Sequence, residues 1–561
     1  MGTEADAGRT PAFMGGAVRQ AGSAQSAAEL RVLLRTTGGI QLLIKRLSAR
    51  PAAPAAPETA ELAEEEEVAA GGGTAGAAAA LLPSLDPSPV DTLEALRLAV
   101  SGDERNLKIV CREGGMREAL ALLAEGGAEV HASGSVTAAS VRGAALALAR
   151  ACAESEQGRS RLAKHGAAVL GVLECLFDWE RPALVEDAAC LVQKLASGEA
   201  SGIEALRQAP IDVVAALAAA LGASRLGVEG AAGGEGAVAL MREELVGALA
   251  QLTLAEDMRA RFAELALVGA ADDEDDEDAE DDGAATPVVA LLDVVRCGAG
   301  CVQDRVRSKE LALAALMNAS CEPSGSVRQQ IVSAGGIIPL LAVLPAAGRG
   351  GLSEVGAARA AGVLARTVTV ADAASVFAQQ SVMTRLAKLI GGGTNGIADQ
   401  ATADQLHSHV VRVLAAALGS AEAVAAFRKL DGVRRLLSLL PSARMKEVRT
   451  SAQAAAVTAA KARQEANAHL IGNAATLLTK CVDDGSGESA KKLVQLGGVE
   501  QLITLLRDAK NPAVKKNVAI CLAKLARSPE AKERITANRG MEMLRAHSKE
   551  LTGQFAGHQN Q

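Results

Sequence analysis

An all-α chain built from stacked helical repeats is the fold class this sequence predicts, and three observations carry the prediction. Of the 561 residues 49% are hydrophobic but only 1% aromatic, with no Tyr and a single Trp. The apolar residues are mainly Ala, Leu and Val, which suit thin helix-on-helix layers and leave little β-propensity to build strands. The second observation is a glycine-containing corner that recurs along the chain. The third is a long helical stripe of Ala and Leu between corners.

The corner is clearest in LVQLGGVEQLITLL, from Leu493, and in IVSAGGIIPLLAVL, from Ile331. Glycine reaches positive φ without a Cβ clash, so a Gly-Gly pair caps one helix and turns into the next. Copies fall at Gly38-Gly39, Gly114-Gly115, His165-Gly166, Ala209-Pro210, Gly335-Gly336, Asp431-Gly432, Gly497-Gly498 and Arg539-Gly540, with a weaker one at Ser381. Gly39, Gly115, Gly166, Gly336, Gly432, Gly498 and Gly540 are therefore read as structural turn residues, and positive φ is expected at Gly335 or Gly498. Spacings of 44 (166 to 210), 45 (336 to 381) and 42 (498 to 540) match a repeat of two or three helices.

Between corners run segments such as VEDAACLVQKLA, VRSKELALAALMNAS and VKKNVAICLAKLAR. Apolar residues recur in them at relative positions 0, 3, 4 and 7, as in Ala312, Ala315, Leu316 and Ala319, which is one buried stripe on an α-helix. The order is a short helix, a corner, a GIxxLLxLL helix, then a longer AxxALxxLA helix. This order resembles the armadillo repeat, over about nine or ten units from Leu30 to His547. The resemblance implies a right-handed armadillo-type α-solenoid in which each unit completes the core of its neighbour.

The domain plan follows. Residues 1–24 are expected to be a disordered tail and 25–50 the first helices. Residues 51–90, rich in Pro, Gly, Ala and Glu, form a disordered insertion. Armadillo repeats fill 91–270, with a Gly/Ser loop at 126–137, and 286–548, with an Ala-rich basic helical extension near 442–467. Residues 549–561 form a flexible tail. The linker 271–285 holds the acidic loop Asp272, Asp273, Glu274, Asp275, Asp276, Glu277, Asp278, Glu280, Asp281 and Asp282. Without those ten charges the balance moves from 58 basic against 66 acidic to 58 against 56. The loop is either a solvated spacer or a tethered anion that competes for a basic surface of the same chain.

Catalytic and cofactor motifs are missing from the sequence. His407 and His409 diverge on a helix, Cys297 and Cys301 have no partners at zinc spacing, and the GGGTNG and GGGTAG runs lack the Lys-Ser/Thr of a phosphate loop. The reading is a non-enzyme with no cofactor, no metal, no small-molecule substrate and no membrane contact. Net charge of −8 and few aromatics argue against nucleic acid. Trp179 is read as a packing anchor. Nine scattered cysteines read as buried thiols in a reducing compartment, so cytoplasm is expected, with nuclear or ciliary presence compatible.

If positions 0, 3, 4 and 7 face the core, positions 2 and 6 lie opposite, and the resemblance places that strip in a concave groove. Position 6 reads Arg150, Lys194, Gln251, Asn318, Arg366, Ala416, Lys480 and Lys524; five are basic and none acidic, although the first helix carries Leu98 there. Position 2 reads Leu146, Cys190, Gly247, Ala314, Gly362, Arg412, Thr476 and Ile520. Arg412 joins the basic and amide residues of position 6 as the candidate partner-binding groove. Importin-α-like adaptors carry Trp at position 2 and Asn at position 6; only Asn318 matches. The ladder is closer to the basic groove of the β-catenin type.

The leading functional expectation is a protein-interaction scaffold or adaptor that holds an extended acidic or mixed partner segment. The alternative is an assembly factor or co-chaperone for motor complexes. The tail KNPAVKKNVAICLAKLARSPEAKERITANRGMEML is similar in style to armadillo portions of ciliary dynein assembly proteins, although their tetratricopeptide domain has no counterpart here. A nuclear-import adaptor ranks third.

Overall fold

The computed structural model describes residues 31–32, 34–36, 38–48, 88–133, 136–198, 200–226, 234–271, 286–296, 306–344, 352–390, 399–440 and 454–548. Side chains at 125–140, 225–235, 267–271 and 454–466 are not among those described. Every regular element among the described residues is helical, and none is a strand. The chain divides into two compact units, Met1–Leu252 and Thr253–Gln561.

A three-helix pattern repeats in both units. In the first it runs Glu104–Glu113, Gly115–Ser133, Val136–Cys152, then Glu156–Ala163, Gly166–Glu174, Pro182–Ala196, then Ala200–Gln208, Val213–Leu226, Gly234–Leu252. In the second it begins Glu256–Ala271, Pro287–Arg296, Val306–Ala319 and continues to Glu488–Gln495, Gly498–Asp508, Pro512–Leu525. Like packs on like. In unit 1 the long helices Pro89–Val100, Val136–Cys152, Pro182–Ala196 and Gly234–Leu252 pack in succession. In unit 2 the succession is Val306–Ala319, Glu354–Thr367, Gln400–Ala417, Ala454–Val482 and Pro512–Leu525. Within each unit the stripes are thus buried by neighbouring repeats.

The 0, 3, 4, 7 stripe is buried in seven of the eight long helices read for it, for example at Ala360, Val363, Leu364 and Thr367. In Val136–Cys152 the stripe is shifted by one residue. Ala145, Leu148, Ala149 and Cys152 are buried, while Ala144, Ala147 and Ala151 are only partly covered. A run of alanines on every face gives weak contrast, so packing against the neighbours sets the rotation there.

The corner proves to divide its work between two residues. Positive φ falls on the first residue of six of the pairs: Gly38, Gly114, Gly335 (φ 67) and Gly497 (φ 72), and the non-glycines Asp431 (φ 57) and Arg539 (φ 58). Gly335 therefore matches the expectation and Gly498, which begins the next helix, does not. The second glycine is needed for space. A Cβ on Gly336 would sit 2.7 Å from the Ile331 carbonyl oxygen, and on Gly498 2.7 Å from Leu493 Cδ2. Gly39, Gly115, Gly432 and Gly540 likewise press on Leu34, Val110, Phe427 and Ile535. In all six pairs a contact lies five residues back, on a buried residue near the end of the preceding helix. Gly166 serves neither role, since a Cβ there would meet nothing within 4 Å.

Other local expectations shift as well. The helix Gly115–Ser133 runs through the first part of the loop read at 126–137. Two glycines cost about 1 kcal/mol each in a helix, and the Ala and Glu around them favour one. Helix Pro89–Val100 begins inside the insertion read to residue 90, and residues 51–87 lie outside the described residues. Helix Ala454–Val482 takes up the second half of the extension. The acidic loop Asp272–Asp282, Cys297 and Cys301 all lie outside the described residues. Trp179 is 48% exposed and donates from Nε1 to the Leu176 carbonyl at 3.0 Å, so it closes a local turn instead of anchoring a core.

Candidate functional site

Contact between successive long helices governs the groove positions. Within each unit a long helix that lies between two others packs on both, which covers more than the predicted stripe. Leu146, Cys190, Gly247 and Gly362, all at position 2, are buried. The two positions open together only near the end of unit 2, where Arg412, Thr476, Lys480 and Ile520 are exposed.

In unit 1 the cations are already paired. Arg150 Nη1 donates to Asp187 Oδ1 at 2.5 Å and Glu186 Oε1 at 3.0 Å, both from the next long helix, and Nη2 lies 3.9 Å from Glu244 Oε1. Burial pulls the Arg150 guanidinium down, yet the bonds to Asp187 and Glu186 carry it above its ordinary value. Burial also pushes the Asp187 carboxyl up, against the pull of Arg150. Lys194 is bound to Glu154. An open depression beside this cluster is lined by Arg97, Lys108 and Arg150 together with Asp103, Glu154 and Asp187, a surface of both signs. Gln251 is partly buried at the end of the last long helix of the unit.

Unit 2 is arranged differently. Asn318 Nδ2 donates weakly to Thr253 Oγ1 at 3.5 Å, Lys480 Nζ reaches the Ala415 carbonyl at 2.6 Å, and Lys524 pairs with Asp483 at 2.5 Å. Lys524 holds the exposed Asp483 carboxyl below its usual range. Arg366 and Arg412 stand apart. Among the described residues no carboxylate pairs with either, and the one bond of Arg366 runs to its own helix, to the Gly362 carbonyl at 3.4 Å.

A column that the sequence reading missed lies one residue before position 0 and faces the preceding long helix. Arg359 Nη1 donates to the Glu310 carbonyl at 3.1 Å, Asn473 Nδ2 to Ser408 at 3.3 Å, and Asn517 Nδ2 to Gly472 at 3.2 Å. Each bond runs from position −1 to the carbonyl at position −2 of the helix before, a staple that fixes the stacking offset. The signal was legible as a polar residue beside the apolar stripe, but nothing in the sequence told which carbonyl it would reach.

His409 occupies this column and makes no staple. Its Nε2 lies 3.4 Å from the point where a Gly362 Cβ would be, and Arg366 Nη1 lies 3.6 Å from the same point. Burial pushes the imidazole down to about 4, and Arg366, Arg412 and His469 push it the same way. His407 points to the other side of the helix, where burial lowers it and Asp404 opposes. Among the described residues no three His, Cys, Asp or Glu side chains could hold a metal together. Six of the described cysteines are buried free thiols, and Cys321 is an exposed one. No single described helix is long and apolar enough to cross a membrane.

No known family and no curated protein matches the chain. Among solved structures, an engineered protein is similar over 92% of this chain and 94% of its own, with a TM-score of 0.56 and 17% identity. Two more engineered proteins match just over half of the chain at TM-scores of 0.36 and 19% and 14% identity, too loosely to carry an argument. The first likeness bears on fold alone, and that fold is a helical repeat.

Proposed function

We propose that the chain is a non-catalytic interaction scaffold of the armadillo type, a right-handed solenoid that holds an extended acidic or mixed segment of a partner protein. What supports the finer fold is the repeated order of short helix, corner, middle helix and long helix, with long helix stacked on long helix. What supports the ligand class is a single contrast. Arg150 and Lys194 in unit 1 are neutralised by carboxylates of the same chain, whereas Arg366 and Arg412 in unit 2 have none among the described residues. An unpaired guanidinium is an available partner for carboxylate, and a charge-assisted bond is the stronger kind. Unit 1, with both signs on its surface, suits a mixed segment instead.

The test is fluorescence anisotropy with a labelled oligo-aspartate peptide and an oligo-lysine peptide. The aspartate peptide is expected to bind, more weakly as salt rises, and Arg412→Glu is expected to weaken it at least tenfold. Arg412 is exposed, so the variant keeps the fold. Binding of oligo-lysine with no binding of oligo-aspartate would overturn the reading in favour of an import-adaptor type of groove.

A further inference from the structure

We propose that Arg366, His409 and Arg412 form one oxyanion subsite for an acidic side chain of the bound segment, and that His409 takes up a proton as that subsite fills. The inference rests on the scaffold reading above and adds a position and a pH dependence to it.

The geometry singles out this place. Of the four position −1 residues between Arg359 and Asn517, only His409 leaves the staple unmade, and its ring makes no hydrogen bond to any described residue. In place of a staple it packs at Gly362, where a Cβ would stand 3.2 Å from Met317 Sδ, 3.4 Å from His409 Nε2 and 3.6 Å from Arg366 Nη1, so the missing side chain lets the imidazole and the Arg366 guanidinium approach each other. Arg412 lies one helical turn beyond His409 on the exposed side, and His469 comes from the following long helix. Four positive or protonatable groups, Arg366, His409, Arg412 and His469, thus converge with no described carboxylate among them.

The charged groups around the ring are accounted for element by element. Arg366 faces it from Glu354–Thr367, Arg412 from its own helix, and His469 from Ala454–Val482. Asp404 belongs to His407. Ala373–Phe377 and Gln380–Leu389 also pack on this helix. Of their charged side chains, Arg385 is bonded to the Ala342 and Leu344 carbonyls, and Lys388 is exposed. With the subsite empty, two guanidinium groups and burial keep the imidazole neutral. A carboxylate seated between the arginines cancels that repulsion and offers an acceptor, so the proton becomes favourable. By linkage, whatever raises proton affinity on binding makes binding tighter as pH falls.

The experiment measures oligo-aspartate affinity at pH 7.5, 6.5 and 5.5 for the full chain and for His409→Gln, Arg366→Gln, Arg412→Gln and His469→Gln. Calorimetry in two buffers of different ionisation enthalpy counts the protons taken up. Wild type is expected to tighten at least about threefold from pH 7.5 to 5.5, with tenfold per unit as the ceiling for one proton. His409→Gln is expected to bind with a flat pH profile and no proton uptake, while His469→Gln keeps both. A wild-type profile as flat as that of His409→Gln, or a slope that His469→Gln removes, overturns the proposal and leaves the scaffold reading standing. No oligo-aspartate binding at any pH overturns both.

Discussion

Gly432 lies against the ring of Phe427, so that a Cβ at residue 432 would stand 2.3 Å from Phe427 Cε1. Asp431, the residue before it, holds the positive φ that carries the chain round. The corner therefore needs a left-handed residue and then a missing side chain, and these are separate demands on neighbouring positions.

Gly432→Ala is expected to destabilise unit 2 by about 1–3 kcal/mol through overpacking against Phe427. Gly335→Ala should cost about 1–2 kcal/mol for a different reason, the left-handed backbone at φ 67. Urea denaturation measures both. Asp431→Gly should be tolerated, since it relieves the same backbone strain; a loss larger than that of Gly432→Ala would refute the division of labour.

The staples are expected to set the stacking of long helices. Asn517→Ala removes the bond to the Gly472 carbonyl, and Asn473→Ala removes those to Ser408. Each should cost about 1 kcal/mol. Hydrogen exchange should speed up in the helices either side of the lost bond, and unchanged exchange there would count against the staple.

Stability of the free chain should fall with acid in a way traceable to His409. The folded ring sits near 4, below the ordinary value of about 6.5, so as pH drops the unfolded chain takes up the proton first. The contribution is intact above about pH 6.5 and lost as pH falls towards 4, on the order of 3 kcal/mol in all. The difference between wild type and His409→Gln in thermal melts at pH 7.5 and 5 isolates it from His407, which shifts in the same direction.

Deleting Asp272–Asp282 should tighten oligo-aspartate binding if the loop competes for the same cations. The gain should shrink as salt screens the charges. Equal affinities at low salt would make the loop a spacer.

The sequence by itself determined the helical class and the repeat, because both are written in local terms. A stripe at 0, 3, 4 and 7 and a corner every few dozen residues need no knowledge of distant contacts. It named Arg366 and Arg412 only as two of eight groove candidates. Only the tertiary structure decided which cations stay available, since Arg150 finds Asp187 and Lys194 finds Glu154 across distances of 37 and 40 residues. The same holds for position 2, open at Arg412 and sealed at Gly362, and for His409, which reads as one more polar residue beside a stripe until Gly362 is brought against it. Charge pairing and burial are properties of neighbours in space, and a helical period fixes which way a side chain points without fixing what it meets.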